Sequence, residues 1–371
     1  MQLSDENAKI CLHSPCGRFP CLADCFHNSS NVTYLNRFLF IALHSFAWIC
    51  VTFFFAWAIG AIWFFDLLPN PMGPIAGMVT LIGFVILFFR LKQKQMWMTW
   101  AGLAIFVVWM LSLLQQPSHD REWAADQTVL SQVVIDGDDV TIKEYRHNVY
   151  RSDADFDVYR SDYSFKLSEL NKVWFIVQRF APQEGLAHVF LSFEVSPADG
   201  ESKHFSLSVE IRREEDEYFS PTQGLYRQYE LNYVFGDERD LIGVRTVMRP
   251  EDRLFMYPVN ATPEQVQQAF RSIADRTNQI YDRPEFYHTV LNNCMNGILR
   301  HTVELTPEEI SWFDPRIIMP GYSDRFAFQE GIIGSADQSF ELLRESCRID
   351  LRAREHGIRD GFSNAIREEG N

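Results

Sequence analysis

"FLFIALHSFAWICVTFFFAWAIGAIWFF", residues 38–65, runs for 28 residues without one charged side chain. As a helix rising about 1.5 Å per residue it is longer than the roughly 30 Å hydrocarbon core of a bilayer, so it is predicted to cross with a tilt. Two shorter uncharged runs follow, Ile75 to Phe89 and Trp97 to Leu114. None of the three carries the polar stripe at helical spacing that a helix of a water-soluble bundle needs. The sequence therefore predicts three transmembrane helices within residues 37–116.

Basic residues in the short loops set the orientation. "DLLPNPMGP" (66–74) has no Lys or Arg, whereas "RLKQKQ" (90–95) carries Arg90, Lys92 and Lys94. The second loop is expected on the cytoplasmic side, which places the N-terminus inside and everything after Gln116 outside. Residues 1–36 read as a disordered cytoplasmic segment, with a translation start near Val32 as an alternative. Their Cys11, Cys16, Cys21 and Cys25 lack the two paired groups of a structural zinc site, so no metal is expected there.

Charge divides the chain as sharply as hydropathy does. Residues 1–119 carry six basic and four acidic side chains, a balance of +2, so the total of −15 leaves −17 for residues 120–371. Nucleic acid is excluded as a partner, because its binding relies on clustered Lys and Arg neutralising phosphates. Anionic headgroups would not attract this surface either, and proximity to the membrane must come from the tether.

After a polar linker, residues 117–128, the texture changes to that of an α+β domain, residues 129–371. "QVVIDGDDVTIKEY" (132–145) signals a hairpin turning at Asp136-Gly137. Residues 173–180, 186–195, 203–214, 225–235 and 252–259 read as further strands of an antiparallel sheet. A helix then starts at Thr262, with Pro263 at its first position and Gln265 completing a capping box. In "YHTVLNNCMNGILRH" (287–301), Asn292 or Asn293 can cap a second helix whose buried face is Met295, Ile298, Leu299 and Val303.

Cys294 then falls in the first turn of that helix. Unpaired N–H groups there favour a thiolate and can hold an oxyanion, so Cys294 is a candidate nucleophile. It needs a base, and His119, His147, His188, His204, His288, His301 and His356 are the domain's histidines. In "LAHVFLSFEV" (186–195), alternation puts His188 with Phe190 and Ser192 on one side of the strand. On the next strand, Ser206, Ser208, Glu210 and Arg212 share a side, so Glu210 or Ser208 can reach the far ring nitrogen of His188 as a third member. Arg212, with Arg213, and Asn293 beside the thiol are candidate substrate-binding residues, the arginines for a phosphate. The competing readings are a packing histidine, solvated arginines, and a disulfide between Cys294 and Cys347 in an oxidising compartment. His301, two helical turns from Cys294, reads as structural. Neither a Gly-rich phosphate loop nor clustered His and Cys ligands occur in the domain, so neither cofactor nor metal is expected.

From about Arg121 to Arg352 the sequence resembles the bacterial family of the periplasmic N-terminal domain of the lipoprotein N-acyltransferase Lnb. The blocks that carry the resemblance are "REWAADQTVL" (121–130), "YRSDADF" (150–156), "AHVFLSFEV" (187–195), "SVEIRREEDEYFSPTQGLYRQYEL" (208–231), "DERDLIGVRT" (237–246) and "NNC" (292–294) with its helix. The resemblance implies a papain-like thiol fold in circularly permuted order, similar to lecithin:retinol acyltransferase, with Cys294 as nucleophile and His188 as base. It also implies a bacterial inner-membrane location, a periplasmic domain and a membrane lipid or lipoprotein as substrate, by thiol-dependent acyl transfer or hydrolysis. Two departures stand out: the family usually continues the cysteine with two threonines where this chain has Met295 and Asn296, and here the membrane spans precede the domain. A cysteine peptidase or amidase acting on cell-wall peptides and a non-catalytic envelope scaffold are the alternative functions.

Overall fold

The structure, a computed structural model, describes residues 22–65, 71–180, 182–215, 217–302, 314–335 and 337–368, with only the backbone course for 22–35. Cys11, Cys16 and Cys21 lie outside the described residues. Two compact units divide the chain, one holding the helical stretches up to Trp63 and Ile75–Met110, the other Phe64–Pro74 and everything from Leu111 onward.

Three helices supply the first unit: α1 (Leu22–Trp63), α2 (Met72–Arg90) and α3 (Lys94–Ser112), with the start of α2 up to Pro74 and the end of α3 from Leu111 falling in the second. All three are long and apolar enough to cross a membrane, α1 through its segment Asn36–Trp63. The backbone of α1 is helical back to Leu22, into the segment expected to be disordered. Their outward side chains are large and apolar, including Phe38, Phe40, Ile49, Phe53, Ile86 and Phe89. Water would not tolerate so continuous an apolar surface, whereas lipid chains match it. Between the helices, Trp97 packs with Phe55 and Ala101, stacks on Trp48 at 5.5 Å, and donates its indole N–H to the Phe84 carbonyl at 3.1 Å.

The second unit is built on an eight-stranded sheet. Its strands are β1 (Gln132–Asp136), β2 (Asp139–Arg146), β5 (Arg160–Lys166), β6 (Leu170–Arg179), β7 (Ala187–Val195), β8 (Lys203–Arg212), β9 (Glu230–Gly236) and β10 (Arg253–Pro258), while β3 (Val149–Tyr150) and β4 (Phe156–Asp157) form a separate short ribbon. The order is β1-β2-β9-β8-β7-β6-β10, with β5 also paired to β2. As expected, β1 and β2 form a hairpin around Gly137, whose φ of 62° suits glycine.

The sheet is mixed rather than antiparallel throughout. A single parallel pair, Arg146 with Gly236, joins β2 to β9. Gly236 permits it, because a Cβ there would lie 2.8 Å from the Arg146 carbonyl, and Asp237 N–H donates to that same carbonyl at 2.8 Å. Sequence alternation is blind to such a join, since it reports which face a side chain takes and not its neighbour's direction. The strand expected over 225–235 begins only at Glu230; the preceding residues turn, held by Tyr229, whose hydroxyl donates to the Tyr218 carbonyl at 2.6 Å and accepts from Ser220 N–H at 3.1 Å.

Both sheet faces are covered. On one, Val189, Leu191, Phe205, Leu207, Tyr233 and Phe235 pack under α5 (Pro263–Asp282) and α6 (Cys294–Thr302), the main core. On the other, Trp174, Ile176 and Phe190 meet Ile242, which follows α4 (Glu238–Leu241), together with residues of the C-terminal helices. The helices on this face are α10 (Asp350–His356) and α11 (Phe362–Ala365), whereas α7 (Pro315–Ile318), α8 (Ser323–Gln329) and α9 (Phe340–Ser346) add Ile317, Phe326 and Leu343 to the main core. The start of α5 is as the sequence signs it: Thr262 Oγ1 accepts from Gln265 N–H at 3.3 Å and Gln265 Oε1 from Thr262 N–H at 2.9 Å.

Candidate functional site

Cys294 is the first residue of α6, and the two asparagines before it have separate tasks. Asn293 is the cap: its Oδ1 accepts from Asn296 N–H at 3.0 Å and its Nδ2 donates to the Thr289 carbonyl at 2.6 Å. Asn292 Nδ2 holds the Phe286 carbonyl at 3.0 Å. Asn293 is therefore committed to the helix start and its loop rather than presented to a substrate. At Gly297, α6 approaches the sheet so closely that a Cβ would stand 3.1 Å from Val209 Cγ1 and 3.2 Å from the Tyr233 hydroxyl. That approach seats Cys294 on the sheet.

Opposite the thiol, the sheet opens. β7 and β8 pair from Val195–Lys203 to Phe190–Ser208, and beyond that β7 continues paired only to β6 and β8 only to β9. A cleft of about 570 Å³ lies there, lined by Cys294, His188, Glu210, Gln178, Arg245 and Tyr287 among others. His188 and Cys294 belong to opposite faces of the sheet, one beside Phe190 and the other on the α6 side, and both line the cleft where the ladder parts. No hydrogen bond joins the two side chains.

His188 is held from behind. Its Nε2 is 2.7 Å from Ser208 Oγ, and its ring stacks on Phe190 at 5.5 Å. Of the two third members open in the sequence, Ser208 makes the direct bond. Glu210 stands one step further out on the same strand, receiving Arg245 Nη2 at 2.5 Å. The Ser208 hydroxyl can accept from an Nε2–H or donate to a bare Nε2, and Nδ1 is the ring nitrogen that Ser208 does not engage. Burial opposes the charge on Glu210, but Arg245, Arg146, His188 and Ser208 together hold its carboxyl below the usual range.

Burial disfavours the charged form of both His188 and Cys294. Burial first, then the cationic neighbours Arg245 and Arg249, push His188 down to about 3 against the opposing pull of Glu210. Cys294 is pushed up to about 11 by burial, although N–H groups of Val189, Met295 and Cys294 itself favour its thiolate. The thiolate-favouring effect expected of the helix start is thus present and is outweighed by desolvation.

The structure does not bring Arg212 into the cleft. It is buried, with Nε on the Gln127 carbonyl at 2.9 Å, Nη2 on the Thr128 carbonyl at 2.9 Å and its guanidinium 4.1 Å from the Trp123 ring. Its task is to clamp residues 123–128 onto the domain, and burial pushes it down to about 10. Arg213 does line the cleft, paired with Asp126 at 2.9 Å. Cys294 and Cys347 are free thiols, so the disulfide alternative is not what the structure contains. His301 bonds Ser272 Oγ at 2.8 Å inside the helical layer, a structural place as expected. Sequence reasoning passed over Arg245, which arrives on a π-helical turn, Val244–Met248, with no periodicity to betray its direction. Among the described residues no three of His, Cys, Asp and Glu are grouped to hold a metal ion.

No curated protein matches the chain, and no solved structure does. A family model described as the Lnb N-terminal periplasmic domain matches residues 157–320, a stretch that contains β5 to β10, α5, α6, His188, Ser208, Glu210 and Cys294. Over residues 157–320, then, this chain with three helices apolar enough to cross a membrane is similar to the Lnb N-terminal periplasmic domain.

Proposed function

We propose that this is a bacterial inner-membrane protein, N-terminus in the cytoplasm, whose periplasmic domain transfers or hydrolyses acyl groups of a membrane lipid or lipoprotein through Cys294. The observation that carries the reading is that a helix-start thiol and an imidazole held by Ser208 line one cleft. His188 Nδ1 takes the Cys294 proton, and the sulfur attacks an ester carbonyl. The negative charge that develops on the carbonyl oxygen is met by backbone N–H groups at the start of α6. Collapse breaks the ester C–O bond, the proton on His188 passes to the departing alkoxide, and a thioester remains on Cys294. An amine or water then attacks the thioester, and the sulfur leaves as the thiol. Because burial keeps both groups neutral at rest, proton transfer waits for a substrate to occupy the cleft.

The test is direct: full-length protein in detergent is incubated with phospholipid carrying an isotope-labelled acyl chain, and Cys294 is examined by mass spectrometry. A hydroxylamine-sensitive acyl adduct on Cys294, lost in Cys294→Ala and at least about 100-fold slower in His188→Gln, is expected. Turnover that persists in Cys294→Ala would sink the reading. The amidase alternative predicts instead adducts from peptidoglycan peptides and none from lipid.

A further inference from the structure

We propose that the loops of residues 218–225 and 288–291, whose Tyr218 and Phe219 line the Cys294 cleft, are embedded in the surface of the bilayer the chain itself spans, so that a diacyl lipid passes from the membrane to the thiol without crossing water. This rests on the acyl-transfer reading and names the source of its donor.

Covalent connectivity makes the first step. The spans of α1 and α3 end at Trp63 and Ser112, on the same side because two crossings separate those ends, so Phe64 and Ser112 stand at the membrane boundary. Both hold one short segment of the domain. Gln228 Nε2 donates to the Phe64 carbonyl at 2.6 Å, Arg227 Nη1 donates to the Ser112 carbonyl at 3.0 Å, and Tyr226 stacks on Phe64 at 5.3 Å. Arg227 takes a φ of 58°, a conformation a non-glycine residue keeps only where its surroundings insist on it.

The second step runs from that segment to the thiol. Tyr229 pins Tyr218 and Ser220 through its hydroxyl, and Thr289 ties the other loop to this one, its N–H to the Gly224 carbonyl at 3.1 Å and its Oγ1 to the Pro221 carbonyl at 2.7 Å. Thr289 lies five residues before Cys294. The crest of the two loops is apolar and uncovered: Tyr218 is 84% exposed, Leu291 62% and Phe219 50%, with Val290 and Leu225 beside them. Aromatic and aliphatic side chains exposed together beside a span end fit the interfacial zone, where Tyr and Trp are enriched and apolar area is buried against acyl chains. Tyr218 and Phe219 also line the cleft, so a lipid that touches them is already at its mouth. Glu215 and Glu217 next to them repel anionic headgroups, which makes the contact apolar and favours zwitterionic lipid.

The experiment is photo-crosslinking in the full-length protein, reconstituted in phosphatidylethanolamine-rich vesicles with radiolabelled acyl chains. p-Benzoylphenylalanine is placed at position 219, 291 or, as a control, 199. Position 199 lies in the β7–β8 turn, at the end of those strands away from the cleft. Lipid adducts at 219 and 291 at least about tenfold above 199 are expected. Adducts absent from 219 and 291, or equal at all three positions, would overturn the proposal. Crosslinking needs no turnover: its failure leaves the thiol chemistry standing, and an inactive Cys294 leaves the crosslink standing.

Discussion

At the scale of single residues, the site turns on which nitrogen of His188 is free. Ser208 engages Nε2 and leaves Nδ1, while Glu210, paired with Arg245, stands beyond it on the same strand. Ser208→Ala is expected to slow acylation of Cys294 by about 10- to 100-fold while costing on the order of 1 kcal/mol of stability. The readout that separates positioning from mere packing is the ring-nitrogen NMR signature of His188, whose tautomer balance should change once Ser208 no longer engages Nε2. An unchanged tautomer with full activity would remove Ser208 from the mechanism. Ser208 and Glu210 were both legible as candidates because a strand's two-residue period shows which side chains share a face. Their order was not, since it depends on side-chain length across the opening of the ladder and on Arg245 arriving from a π-helical turn.

At the scale of elements, local signals read true and long-range ones did not. Thr262, Pro263 and Gln265 fix the start of α5 through contacts within four residues, and the sequence shows them whole. β5, "RSDYSFK", escaped notice because it is polar and mostly exposed, a strand by virtue of pairing with β2. Arg212 misled for a similar reason: a long side chain on a correctly read strand reached over the edge to the 127–128 carbonyls. The placement of α6 offers a test at this scale. Gly297→Val would drive a branched side chain into Val209 and Tyr233, at a cost of about 1–3 kcal/mol of overpacking, and would lever α6 and its thiol off the sheet. Cys294 acylation should therefore fall by more than the loss of folded protein explains, measured on the fraction still folded by urea titration. Adding Val209→Ala to make room should recover most of the rate, and if it recovers stability alone, α6 does not set the thiol's position.

At the scale of the molecule, the histidines share one electrostatic direction with consequences for acid. His188 sits at about 3 and His301 at about 4, both lowered first by burial, and His119, His204 and His288 are lowered for the same leading reason. A folded-state value below the unfolded value of about 6.5 means that the unfolded chain binds more protons as pH falls through 6.5. Stability is thus fully present above that pH and is lost progressively below it, down toward 4 for His301. Glu210 and Glu238, held low against burial by arginine partners, add a further loss once pH drops below about 4.5. For His301 alone, 6% exposed, the shift corresponds to about 3 kcal/mol at roughly 1.4 kcal/mol per unit. Scanning fluorimetry of the detergent-solubilised chain should show the domain's transition level down to about pH 6.5 and falling from there to about pH 4.5. His301→Gln, which keeps a polar partner for Ser272 but cannot take up a proton, should flatten that slope while leaving the transition at pH 7.5 lower by no more than a few degrees. A slope unchanged by His301→Gln would mean that the protons are taken up elsewhere, and that its buried place between α5 and α6 does not govern the domain's response to acid.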